Sequence, residues 1–183
     1  MLAEIVARLM SPAEARTSVP QSEVSKWMEA EDGDTLGATF AFLSAAEHVD
    51  RVVPPLEFDP VFDFMLRYFE FCLRTNPQSE WAHSRYMAGT ELVGMFVWMW
   101  DEGRDRRYFV EVKSRLAGLY VEGSSDVRRA IEHAVIEHLF EREPIREFFS
   151  DWRDDPRLRP AYDEGMLWVA GGGTSPLTER RMR

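Results

Sequence analysis

The chain has little cysteine, little lysine and no long apolar run. Cys72 is the one cysteine among 183 residues, so no intrachain disulfide can form and a reducing compartment is the expected setting. The longest apolar stretch covers 92–100 (LVGMFVWMW), less than half of the roughly twenty residues a bilayer-spanning helix needs. The opening MLAEIVARLM carries Glu4 and no basic region ahead of its apolar residues, so no secretory signal is expected. These absences together predict a cytoplasmic protein without a membrane partner. Two lysines, Lys26 and Lys113, accompany twenty arginines, a bias that fits a GC-rich genome better than a function.

Catalytic patterns are missing as well. The glycines at 171–173 are followed by Thr174-Ser175-Pro176, with no Lys-Ser/Thr and no helix to open, so they form no phosphate-binding loop. There is no Gly-x-Ser-x-Gly elbow. Cys72, inside Phe69-Glu70-Phe71-Cys72-Leu73, reads as a small buried apolar residue rather than a nucleophile. Arg128-Arg129 and Arg157-x-Arg159 are too short and too diluted by acids for a nucleic-acid stripe. No catalytic residue, no cofactor and no oligomeric state can be assigned from these residues.

Apolar residues are plentiful, at 45%, with 12 Phe and 6 Trp, so a packed core is well supplied. At this length a single domain is expected, burying roughly 70% of the unfolded surface. Helical spacing recurs along the whole chain and strand alternation does not. Leu2, Ile5, Val6 and Leu9 share one face, and Ser11-Pro12-Ala13-Glu14 has the form of a capping box. A second start near 20–22 leads through Val24, Trp27 and Met28, and Asp34 is placed to cap a helix reaching about residue 52. Pro54-Pro55 breaks the chain and Asp59-Pro60 restarts it.

The helix over 60–75 has the clearest pattern. Phe58, Val61, Met65, Tyr68 and Cys72 form one apolar row, Phe62, Leu66, Phe69 and Leu73 a second, and Asp63–Arg67 and Glu70–Arg74 can pair outside. A very apolar helix over about 79–102 is expected at the centre of the fold, with Ala88, Gly89 and Gly94 admitting close neighbours. Helices over 104–122, 126–141 and from Pro144 follow, then a short closing helix and a tail over 171–183. The expectation is an all-α, compact multi-helix bundle over 1–170 with a flexible tail. Its core is predicted to hold Phe62, Met65, Phe69, Leu92, Phe96, Phe109, Leu116, Val135 and Phe148.

Charge is unevenly placed. Residues 1–103 hold 17 acids and 7 bases, whereas 104–183 hold 15 of each, so the whole net charge of −10 lies in the first part. Such a field repels nucleic acid and anionic membranes and attracts basic partners.

Four residues could ligate a metal. Glu80-Trp81-Ala82-His83 has the Glu-x-x-His form of carboxylate-bridged di-iron bundles, but that architecture needs the motif twice and it occurs once. His133 and Glu137 are four apart, as helical metal ligands are. However, Ile131, Ala134, Val135 and His138 lie along the expected core face, which turns His133 and Glu137 elsewhere. Two mixed charge segments, 101–107 beside Trp98 and Trp100 and 150–156 around Trp152, are either solvated corners or recognition surfaces.

The stretch Asn76-Pro77-Gln78-Ser79-Glu80-Trp81-Ala82-His83-Ser84-Arg85-Tyr86, with 91–103 after it, resembles parts of small uncharacterised bacterial all-helical proteins, some of them toxin-immunity-like. The resemblance implies an acidic bundle that binds a protein and assigns no residue. The leading expectation is therefore a cytoplasmic binding protein whose acidic N-terminal half engages a basic protein. A metal-dependent helical-bundle enzyme using Glu80, His83, His133 and Glu137, with His48 as a further candidate ligand, and an acidic surface serving solubility alone, are the alternatives.

Overall fold

A computed structural model describes residues 1–10 and 17–173. The capping box at 11–14 and residues 174–183 of the expected tail lie outside the described residues. The chain is all-α, with one pair of two-residue strands beside its helices. No helix among the described residues is long and apolar enough to cross a membrane. The helices fall into two compact units, Met1–Ser84 and Arg85–Arg183.

In the first unit, α1 (Leu2–Met10), β1 (Val19–Pro20), α2 (Gln21–Met28), α3 (Gly33–Leu43), α4 (Ala46–Val49), β2 (Val52–Val53) and α5 (Phe58–Thr75) follow in order. The inner helix is α3, which packs on α1, α2, α4 and α5. Asp32, not Asp34, caps it by accepting the Thr35 N–H at 2.9 Å. Asp34 instead accepts the Trp81 N–H at 3.1 Å and so ties the 76–84 loop to the helix. A Cβ on Gly37 would stand 2.2 Å from the Trp81 carbonyl oxygen, so only glycine lets that loop lie on α3.

The helix expected to run to 52 stops at Ser44, whose hydroxyl returns to the Phe40 carbonyl at 2.8 Å. One turn of α4 follows. Val52–Val53 then pairs in parallel with Val19–Pro20, burying Val19 and Val52. Two residues are too few to show alternation, so this pairing left no trace in the sequence.

Asn76, at φ 48°, ends α5 in the left-handed conformation and Pro77 prevents continuation. The buried face of α5 is Phe62, Leu66, Phe69 and Leu73 with Phe64, Tyr68 and Cys72, while Phe58, Val61 and Met65 lie half-buried at its edge. The Glu70–Arg74 pair forms at 3.1 Å. Arg67 turns from Asp63 and donates to the Met28 carbonyl instead, one of the carbonyls that the end of α2 leaves without a helical partner.

The second unit runs α6 (Arg85–Asp101), α7 (Arg106–Glu122), α8 (Ser125–Ile131), a π-helical turn (Glu132–Ile136), α9 (Glu137–Phe140), α10 (Glu143–Phe148), a 3-10 turn (Ser150–Arg153) and α11 (Arg159–Ala170). Asp105 caps α7 and Ser124 caps α8 through the N–H groups of Arg107 and Val127. The most apolar helix, α6, starts at Arg85 rather than near 79. It buries Ala88, Gly89, Leu92, Val93, Phe96, Val97 and Met99, but Glu91 and Gly94 are exposed, so it keeps one open face. Phe109 stands edge-on to both Phe96 and Trp100, with centroids 5.1 Å apart in each pair, and Phe96 and Trp100 stack on each other at 6.0 Å. Of the expected core, Met65 and Phe148 are only half-buried. Phe149 takes the inner place at the end of α10, fully buried, while Phe148 lies under the cations of Arg106 and Lys113.

Candidate functional site

The segment α8–π turn–α9 is continuous helix that accommodates one residue beyond the α pattern. Each residue advances an α-helix by about 100°, so an inserted residue turns everything after it to a new face. That rotation overturns the expected placement. Glu137 points inward and is 8% exposed, whereas His138 is half-buried at the edge. Close packing holds the turn on two sides. A Cβ on Gly89 of α6 would meet Ala134 Cβ at 2.7 Å, and one on Gly165 of α11 would meet Phe140 at 2.6 Å and Ile136 at 2.8 Å.

The shifted register brings three ligand-type side chains together. One donor atom from each of His133, Glu137 and Glu164 lies within 4.8 Å of the others. His133 Nδ1 and Glu137 Oε1 are 2.6 Å apart. Glu137 is a buried charged residue, and among the described residues it makes no hydrogen bond or ion pair except to His133. Beside the cluster, the buried Tyr120 donates to Glu132 Oε1 at 2.5 Å. Burial first, then that carboxylate, pushes the Tyr120 hydroxyl above its ordinary value; the Arg128 charge opposes them and that of Glu164 adds to them. Arg128, the cation nearest Tyr120, spends its guanidinium on the Tyr120 and Val121 carbonyls.

Glu164 was not among the sequence candidates. It lies on α11, far along the chain from Glu137, and no local spacing links the two. The residues that sequence analysis did single out are divided between the units: Glu80 and His83 in the first, His133 and Glu137 in the second. Glu80 and His83 sit in the loop before α6, so the Glu-x-x-His spacing is not on a helix. Glu80 is exposed. His83 has its Nδ1 2.8 Å from the Tyr68 hydroxyl, which accepts the His83 backbone N–H at 2.9 Å, and its ring stands edge-on to Phe40 at 5.0 Å. This is an anchored, aromatic-packed histidine in a folded loop. Cys72 lies under it, fully buried, its thiol pushed up to about 11 chiefly by burial.

The charged segments have mostly structural partners. Asp101 pairs with Arg142 at 2.5 Å, Arg104 covers the Trp98 ring at 5.2 Å and Asp105 is a cap. An open groove of about 610 Å³ runs past Arg106, Lys113, Glu147, Asp151 and Trp152, but Lys113 is spent on Asp151 and the Phe148 carbonyl. The acidic excess belongs to the first unit: residues 1–84 hold 14 acids against 6 bases, net −8, leaving −2 for 85–183. Exposed Glu29, Glu31, Glu47, Asp50 and Glu57 have no ion pair among the described residues. No protein-family model, curated relative or solved structure matches the chain.

Proposed function

We propose that the chain is a cytoplasmic protein-binding module, immunity-like in character, whose acidic N-terminal unit docks a basic protein partner. The observation that supports this most is the concentration of −8 in the compact unit Met1–Ser84. Solubility alone would be served by the same charges spread over both units. Concentrated on one, they build a field that accelerates encounter with a basic surface and discriminates against acidic ones. Glu29, Glu31, Glu47, Asp50 and Glu57 are exposed, and their charge is not spent on internal pairs.

The reading is tested by capture from native lysate at about 50 mM and about 300 mM salt, since the Debye length falls from about 14 Å to about 6 Å over that range. The wild type is compared with a variant carrying Glu29→Gln, Glu31→Gln, Glu47→Gln, Asp50→Asn and Glu57→Gln. A basic protein enriched at low salt, released at high salt and lost in the variant is the expected outcome. Capture that ignores both salt and the five substitutions rejects electrostatic docking, with the variant's unchanged melting curve ruling out unfolding as the cause.

A further inference from the structure

We propose that His133, Glu137 and Glu164 form a binding site for one divalent transition-metal ion, with Zn²⁺ the best match. The inference is independent of the docking function above. It begins from an electrostatic imbalance. A carboxylate as buried as Glu137 is costly unless a cation or several donors compensate it. Here the donors stop at one imidazole nitrogen, and within 4.8 Å lies a second carboxylate, Glu164, with no ion pair of its own among the described residues. Two carboxylates and a neutral imidazole leave a charge of −2, which a divalent ion neutralises.

The donor chemistry narrows the ion. One imidazole nitrogen with two carboxylate oxygens suits zinc and its first-row neighbours, whereas calcium and magnesium favour all-oxygen shells. Three protein ligands also leave a fourth tetrahedral position for water or a substrate atom, the pattern of reactive rather than purely structural zinc. Bonds of about 2.0–2.2 Å place tetrahedral donors about 3.4 Å apart. The present spread, 2.6 Å for His133 to Glu137 and up to 4.8 Å within the set, brackets that value, so side-chain rotation suffices. The hydrogen bond between Nδ1 and Oε1 breaks as the metal enters, and the neutral imidazole keeps its one proton on the nitrogen that does not face the ion.

The backbone supports the site. His133 is carried on the π turn and Glu137 directly after it, and the Gly89 and Gly165 contacts clamp that turn against α6 and α11, the second of which delivers Glu164. Glu132 next to the site is held by Tyr120 and is left out of the ligand set.

The test uses the full chain produced without a histidine tag, stripped with chelator and titrated with ZnCl₂ by calorimetry, with melting curves recorded in parallel. The expected result is one Zn²⁺ per chain and a higher melting temperature when it is bound. His133→Ala and Glu164→Gln should each weaken binding by about tenfold or more, while His48→Gln in the other unit leaves it unchanged. Both site variants replace half-exposed side chains and should fold, so the result does not depend on Glu137→Gln, which alters a buried group. Absence of stoichiometric binding, or zinc held equally by wild type and both variants, overturns the proposal.

Discussion

His48 lies flat against Phe42, ring centroids 5.2 Å apart, and its Nδ1 stands 3.0 Å from the Arg51 guanidinium. Because arginine can only donate, that nitrogen is the acceptor of a neutral ring. Burial first, and the Arg51 charge second, hold the imidazole below its ordinary value; Glu47 opposes them weakly. The unfolded chain thus takes up this proton first as pH falls. Stability from His48 is complete above about pH 6.5 and declines as pH drops through the folded value. Melting temperatures recorded from about pH 7 to about pH 5 should fall less steeply in His48→Gln than in the wild type. Cys72 makes a second prediction at this scale. With its thiol pushed up to about 11 and no exposed surface, it should resist a disulfide reagent at neutral pH and release one equivalent on denaturation. Its inertness was legible in the sequence, because a lone cysteine between Phe71 and Leu73 on an apolar helical row belongs inside.

Glycines at the level of helices divide into those that carry packing and those that do not. On α11, Gly165 faces Phe140 and Ile136 at distances no Cβ tolerates, whereas nothing lies within 4 Å of a Cβ at Gly94 on α6. Gly165→Ala should destabilise the protein by about 1–3 kcal/mol through overpacking. Gly94→Ala should stabilise it by about 0.5–1 kcal/mol, because alanine restricts the unfolded chain and favours helix. Denaturant midpoints distinguish the two, and equal effects would mean that α11 does not seat on the π turn as described. By sequence alone Ala88, Gly89 and Gly94 are equivalent small residues on one helix. Which of them meets a neighbour depends on the helix facing α6, and that information is not local. The π turn escaped for a related reason: residues 126–141 carry good α-helical spacing on both sides of it, and a single inserted residue is invisible to a periodicity averaged over several turns.

Across the whole chain, charge and composition set properties that do not depend on how its helices pack. With a net charge of −10 and an isoelectric point near 4.9, solubility should pass through a minimum close to pH 5 and recover on either side, measurable as turbidity. The helical class and the breaks at Pro54-Pro55 and Asn76-Pro77 follow from the sequence alone, since propensity and chain breaking act within a few residues. So does most of the core, because the apolar faces of 60–75 and 104–122 are continuous over many turns. Tertiary structure decided the rest. Residues 79–84 read as the start of a helix, but tethers to Asp34 and Tyr68 hold them open as a loop across Gly37. His138 reads as the buried residue, but the π turn hands that place to Glu137. Glu164 reads as one more solvated acid until α11 lays it beside His133. Each of these outcomes rests on contacts between segments distant in the chain, and no short-range pattern encodes them.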